Sequence, residues 1–272
     1  MFIFDSHTHT QFSSDAASDL EGMCRFAVEN GIDGFAVTDH CDVNWFDKKI
    51  VPQVRAACHN EVRRLQQEYE GKLEITYGIE LAQQDFNTEI TQLLVDDFNA
   101  QNGDFLIGSM HRAGLFRDFS VIDFDLIDFN TLYEMYYLQM LQTAKLNHLD
   151  ILAHMTYPLR YAPQNVLDNL NNKLIDDIAD EIFKVLIQNG KGIELNVSGL
   201  RQSYGDTFPK INYIKRFKEL GGQIVTIGSD SHFNTDLAKN FERGAEIVRR
   251  AGFDYYCYFK QHKPIFVPID KL

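Results

Sequence analysis

Seven times along this 272-residue chain a short apolar run of strand length gives way to a longer segment with helical spacing. The strand candidates are 1–6, 33–38, 73–79, 104–109, 150–154, 192–197 and 223–228, each nearly continuous in apolar residues, as strands buried on both faces should be. Helical spacing follows over about 17–30, 52–70, 88–100, 130–147, 173–189, 209–220 and 235–251, and several of these end in stop signals such as Asn30-Gly31, Asn189-Gly190 and Gly221-Gly222. Repeated βα units require a parallel sheet covered by helices, so the expectation is an α/β fold, a distorted (β/α)7 barrel of the TIM type, with residues 1–272 as one domain. The closing run KPIFVPI carries Pro264 and Pro268 and reads as an edge strand.

Six of the nine histidines lie where one of these apolar runs ends: His7 and His9 in FIFDSHTHT, His40 in GFAVTDH, His111 in FLIGSMH, His154 in ILAHM and His232 in QIVTIGSDSH. Asp5, Asp39 and Asp230 stand beside them, and Glu80 closes ITYGIE. In a closed barrel the C-terminal strand ends share one face, where active sites form, so residues more than two hundred positions apart converge on one mouth. Imidazole and carboxylate together suit zinc, manganese or iron, which points to a metal site and to hydrolysis. His7 and His9, two apart on a strand, point to the same side. His59, His148 and His262 have ordinary surface neighbours and read as structural. The sixth strand ends in IELNVSGLR, where Asn196, Ser198 and Arg201 can supply further polar contacts.

The formal charge of −13 opposes diffuse attraction to nucleic acid or an anionic membrane and favours a small substrate. The start MFIFDSHTHT lacks the features of a signal peptide and no run has the length of a membrane span, so a cytoplasmic location is expected. Cys24, Cys41, Cys58 and Cys257 form no CxxC pair and read as free thiols. Oligomeric state is left open.

The motifs HTHT, TDH, GIE, SMH, AHMTYP and GSDSH together resemble the polymerase and histidinol phosphatase (PHP) superfamily. DSHTHTQFSSDA, IELNVSGLR followed by YGDTFP, and GSDSHFNTDLAKNFERGAEIVRRAGF are similar to its stand-alone histidinol-phosphatase branch, so that the likeness runs from Met1 to Phe253. The resemblance implies a distorted barrel of seven βα units holding three divalent metals. It places a first ion with His7, His9, Glu80 and Asp230, a second with Glu80, His111 and His154, and a third with Asp15, His40 and His232; many relatives carry histidine at the position of Asp15. It also implies hydrolysis of L-histidinol phosphate to L-histidinol and phosphate, in histidine biosynthesis, by attack of a metal-bridging hydroxide. Glu80, Asp230, His232 and Arg160 are then the catalytic candidates. Charge on the transferring phosphoryl group calls for an arginine, with Arg160 the first choice ahead of Arg201, Arg117 and Arg112, and Ser198 could add a hydroxyl. Asp42, Trp45, Asp47, Tyr161 and Tyr204 are candidates for the ammonium and imidazole of the substrate. Asp5 and Asp39 read as supports for the ligands. The alternatives are a PHP phosphoesterase acting on nucleotides or oligonucleotide ends, which the acidic charge disfavours, and a non-catalytic metal-binding barrel. The amidohydrolase barrel also opens with HxH but commonly uses a lysine where this chain has SMH.

Overall fold

The computed structural model describes residues 1–114 and 118–269. Their elements run β1 (Phe4–Thr8), α1 (Leu20–Glu29), β2 (Gly34–Val37), β3 (His40–Asp42), α2 (Val51–Glu68), β4 (Glu74–Ala82), α3 (Thr88–Ala100), β5 (Phe105–Ser109), α4 (Phe129–Leu146), β6 (Ile151–Leu152), α5 (Gln164–Leu167), α6 (Asn172–Gln188), β7 (Gly192–Asn196), α7 (Ile211–Glu219), β8 (Val225–Gly228), α8 (Phe241–Arg250), β9 (Tyr255–Lys260) and β10 (Lys263–Pro268). Asp19, Asn87, Asp128 and Asn171 cap α1, α3, α4 and α6, each accepting from a backbone N–H of the first turn. Gly31 and Gly190, at φ 67° and 66°, take the left-handed step that ends α1 and α6.

The large sheet is parallel, in the order β1-β2-β4-β5-β6-β7-β8, with β3 also on β4. β2 and β3 are one strand position interrupted at Thr38-Asp39, because Thr38 Oγ1 takes the amide of Thr8 while the Asp39 carboxylate turns to Thr10 and Ser13. Counted so, seven positions ring the barrel, as the alternation requires. Between β8 and β1 closure rests on an isolated bridge, Thr8 to Ser231, with the amides of His9 and Asp230 donating to the carbonyls of Ser231 and His7.

Two strands differ from expectation in extent. β1 runs through His7 to Thr8, and β4 continues past Glu80 to Ala82, so Glu80 is inside a strand rather than at its tip. The tail pairs as an antiparallel hairpin, β9 with β10, instead of joining the barrel edge. It covers the N-terminal floor: Tyr258 stacks on Phe4 at 4.1 Å, Phe259 on Phe105 at 4.9 Å, and His262 Nδ1 lies 2.7 Å from Asp150. All four cysteines are free and buried. Among the described residues no helix is long and apolar enough to cross a membrane.

Candidate metal centre

With the floor filled by aromatic rings, the opposite end of the barrel carries the polar side chains. Glu80 is completely buried there, and imidazoles from four strand positions surround it. Its Oε1 lies 2.8 Å from His154 Nε2 and 3.1 Å from His111 Nε2; its Oε2 lies 2.7 Å from His40 Nδ1 and 3.7 Å from His9 Nε2. His7 and His9 meet through their Nε2 atoms at 3.1 Å, and Asp230 Oδ1 is 3.3 Å from His9. On the outer side, Asp15, half exposed, places Oδ2 3.4 Å from His40 Nε2 and 3.5 Å from His232 Nε2. All nine expected ligands are thus brought together.

Donor atoms of eight of them, all but Asp15, fall into four overlapping triads, each within 4.8 Å: His7-His9-Asp230, His7-Glu80-His154, His40-Glu80-His111 and His9-His40-His232. The buried atoms Glu80 Oε2, His40 Nδ1 and His154 Nδ1 have no aligned hydrogen-bond partner. Buried lone pairs and charges left this way are costly, and a nitrogen and oxygen donor set suits a borderline divalent cation. The residues present fit divalent metals.

Within the cluster the acidic and imidazole groups shift one another. Burial works against charge on Glu80, but the positive charges of His111, His40 and His7 overcome it and hold its carboxyl well below the usual range. Asp230 is held low in the same way by His7 and His9. Burial also opposes charge on His7, His40 and His111, yet their carboxylate partners raise all three well above the ordinary imidazole value. His9 goes the other way, to about 3, through burial and the charge on His40.

The supports are acidic. Asp39 accepts from Thr10 N and Oγ1 and from Ser13 Oγ at 2.6–2.7 Å; Ser13 Oγ then has lone pairs for His9 Nδ1 and the His40 amide. Asp5 accepts from the amides of His7, Ser229 and Ala238 and from Ser229 Oγ, tying the loop after β8 to β1. Both acids act as the sequence leads one to expect. Glu194, on β7, was not singled out by its sequence, yet its Oε1 sits 2.7 Å from His7 Nδ1 in the buried interior. Two of the expected ligands adopt left-handed backbone, His154 at φ 22° and Asp230 at φ 54°. Such strain is retained where the surrounding structure over-determines it.

The mouth has a volume of about 1050 Å³ and is lined by Arg160, Arg112, Tyr157, Tyr161, Trp45 and Asp42, among others. Arg160 lies 5.1 Å and 5.0 Å from the rings of Tyr157 and Tyr161, which hold it by cation–π contact beside the cluster. Arg112 lies over Trp45 at 5.2 Å. Asp42 reaches the mouth, but its Oδ2 is 3.4 Å from His111 Nδ1, where it can orient that imidazole. Arg201 and Ser198 do not line the mouth. Arg201 donates to the carbonyls of Ser229 and Asp230 and pairs with Asp236, shaping the turn that carries Asp230. Ser198 is buried, its amide donating to Asn196 Oδ1. Tyr204 stacks on Phe208 and lines a neighbouring cavity of about 640 Å³ that shares Arg160. Arg117 lies outside the described residues.

Fold and site define a parallel β/α barrel with a histidine and carboxylate centre at its C-terminal mouth. The chain belongs to the PHP domain family, whose sequence profile matches residues 5–198. It is 25% identical over 268 residues to a probable histidinol-phosphatase of Clostridium acetobutylicum, covering 97% of this chain and 96% of that one. It is also 25% identical over 264 residues to a histidinol-phosphatase of Lactococcus lactis, covering 95% of each. The same fold occurs in the crystal structure of a histidinol phosphate phosphatase from Lactococcus lactis, complexed with zinc, L-histidinol and phosphate, at a TM-score of 0.77 and 23% identity over 97% of this chain and 98% of that one.

Proposed function

We propose that this protein is a metal-dependent phosphomonoesterase that hydrolyses L-histidinol phosphate to L-histidinol and inorganic phosphate, as a cytoplasmic enzyme of histidine biosynthesis. The observation that carries the reading is the convergence of seven further nitrogen and oxygen donor residues with one fully buried glutamate at the mouth of the barrel, with Asp15 at the outer edge. The relatives named above supply the ester, and the zinc in the Lactococcus lactis structure supports zinc as one occupant of the site. Three ions, of zinc, manganese or iron, match the ligand groups His7-His9-Glu80-Asp230, Glu80-His111-His154 and Asp15-His40-His232.

Bound there, divalent ions would supply a nucleophile from water near neutral pH and would neutralise the phosphoryl oxygens. The chain's own residues do the rest. Glu80 keeps its charge in a buried place because imidazoles face both of its oxygens. Asp39 through Ser13 and Asp42 through His111 fix ring orientations. Arg160, clamped by two tyrosine rings at the mouth, supplies the planar cation that grips a phosphoryl group, and Tyr161 stands beside it for the organic part of the substrate. A net charge of −13 agrees with a small substrate rather than nucleic acid.

The test is phosphate release from L-histidinol phosphate by purified protein with its metals quantified, beside a panel of nucleotides, before and after chelation. Release that chelation abolishes and metal restores is expected. Full activity after complete metal removal refutes the mechanism; preference for nucleotides moves the substrate; a metal-loaded protein inactive on every ester makes it a binding barrel.

A further inference from the structure

The proposed metal centre leaves one buried acid without a part. Glu194 is 1% exposed, lies on the inner side of β7, and belongs to none of the four ligand triads. Its two oxygens are divided between two ligand-bearing strands: Oε1 is 2.7 Å from His7 Nδ1, and Oε2 accepts from the backbone amide of His154 at 2.9 Å. Asn196, two residues on along β7, extends the network, with Nδ2 at 3.3 Å from Glu194 Oε2 and 3.4 Å from Asp230 Oδ2. The neighbouring strand makes room for it. In the β7–β8 register Asn196 is opposite Gly228, and a Cβ at Gly228 would overlap Glu194 Oε1 and come within 2.5 Å of His7 Cβ.

We propose that Glu194 is the positioning residue of the metal centre, holding the proton of His7 on Nδ1 so that Nε2 presents its lone pair to an ion, and fixing the strained backbone at His154. The inference rests on the reading of the cluster as a metal site. An ionised carboxylate accepts only, so a Nδ1–H on His7 is the partner it selects, and the other ring nitrogen is left for the metal. The amide of His154 occupies the second oxygen, which links the two ends of the centre through one side chain. Glutamine cannot replace it. With one oxygen and one NH2, it meets either His7 Nδ1–H or the His154 amide with a donor facing a donor. Turning its NH2 to His7 would move the ring proton to Nε2, the atom a metal needs.

The experiment combines zinc titration of metal-stripped protein with 15N resonances of the histidine rings and hydrogen exchange at the His154 amide, for wild type, Glu194→Gln and Glu194→Asp. His7 Nδ1 should carry a proton in wild type with and without zinc. Folded Glu194→Gln, with its NH2 turned to His7, should bind zinc about 10–100-fold more weakly, and Glu194→Asp, too short to span both partners, should bind zinc more weakly and lose protection at the His154 amide. A purely structural role would lower stability and leave zinc affinity alone. Zinc affinity within about twofold of wild type, in a folded Glu194→Gln protein that keeps its tightest site, overturns the proposal. So does a metal-bound Nδ1 at His7 in zinc-loaded wild type, a result that needs no variant to fold. If wild type takes up no zinc, manganese or iron, the metal reading itself falls; the Nδ1 proton and the His154 exchange then still decide whether Glu194 orients these two residues.

Discussion

Glu80→Gln separates the electrostatic role of Glu80 from its size, because the two side chains have nearly the same volume. Glu80 faces His111, His154 and His40 at 2.7–3.1 Å, and its charge helps raise three imidazoles. Removing one partner of a buried ionic cluster costs about 3–5 kcal/mol. At about 2–4 °C per kcal/mol for a chain near this size, the metal-stripped variant should melt about 6–20 °C below wild type, toward the smaller end because the imidazoles can shed their protons. The assay is thermal unfolding of metal-stripped protein near pH 6, about half a unit below the ordinary imidazole value. Phosphate release by the metal-loaded variant should fall by at least about 10²–10³, the cost of one lost preorganised group. Melting within about 2 °C of wild type would mean that Glu80 carries no charge in the folded protein. Wild-type turnover would show that it does not organise the centre.

Metal-stripped protein should lose stability as pH rises above 6.5: His7, His40 and His111 keep protons there that the unfolded chain has released, so the folded state binds more protons and its advantage shrinks through their raised values. His9, lowered to about 3, is neutral in the folded state throughout, and its unfolded counterpart sheds its remaining protons within about a unit above 6.5, so beyond that it does not offset this. Metal binding needs the same rings deprotonated, so the melting increment given by zinc should grow with pH; an increment that shrinks would refute the ligand set. Arg160→Ala should lower kcat/KM by about 10²–10³ with metal content unchanged, since Arg160 belongs to none of the ligand triads; loss of metal instead would place it in the centre. Gly228→Ala should cost about 1–3 kcal/mol by overpacking and weaken metal binding, because the new Cβ strikes Glu194 and His7 together; unchanged zinc affinity would show that the Glu194 contact yields cheaply.

The barrel was readable because its strands other than β3 are almost wholly buried, which leaves a nearly continuous apolar run between helical segments. The tail was only half readable. KPIFVPI is a strand, but its partner YYCYFK follows α8 after only a few residues and turns back through Gln261-His262, both at positive φ (49° and 59°). A two-residue turn of that kind is normally marked by asparagine or glycine, and neither is present. β3 was hidden for a related reason. His40-Cys41-Asp42 has no apolar pattern, and it pairs with β4 because that strand runs on past Glu80.

At the mouth, the candidate ligands were readable because a histidine that ends a buried strand has a repeated address, and six such histidines, from five strand ends, share one rim. Their supports have no such mark. Glu194 stands inside the run IELNV as an acid in an apolar strand, and its partner His7 is 187 residues away. The charges assigned to the substrate show the same limit from the other side. Asp42 is at the mouth, yet it lies beside His111, while Arg201 is drawn to the carbonyls of Ser229 and Asp230. A strained turn exposes carbonyls, and a buried imidazole needs an acceptor, so a metal centre recruits nearby charges before a substrate can. Arg160 differs because aromatic rings hold it by its face, leaving the edge of the guanidinium for a phosphoryl group. Substrate contacts at such a mouth are therefore to be sought among charges held by ring faces rather than among charges already bonded to the backbone.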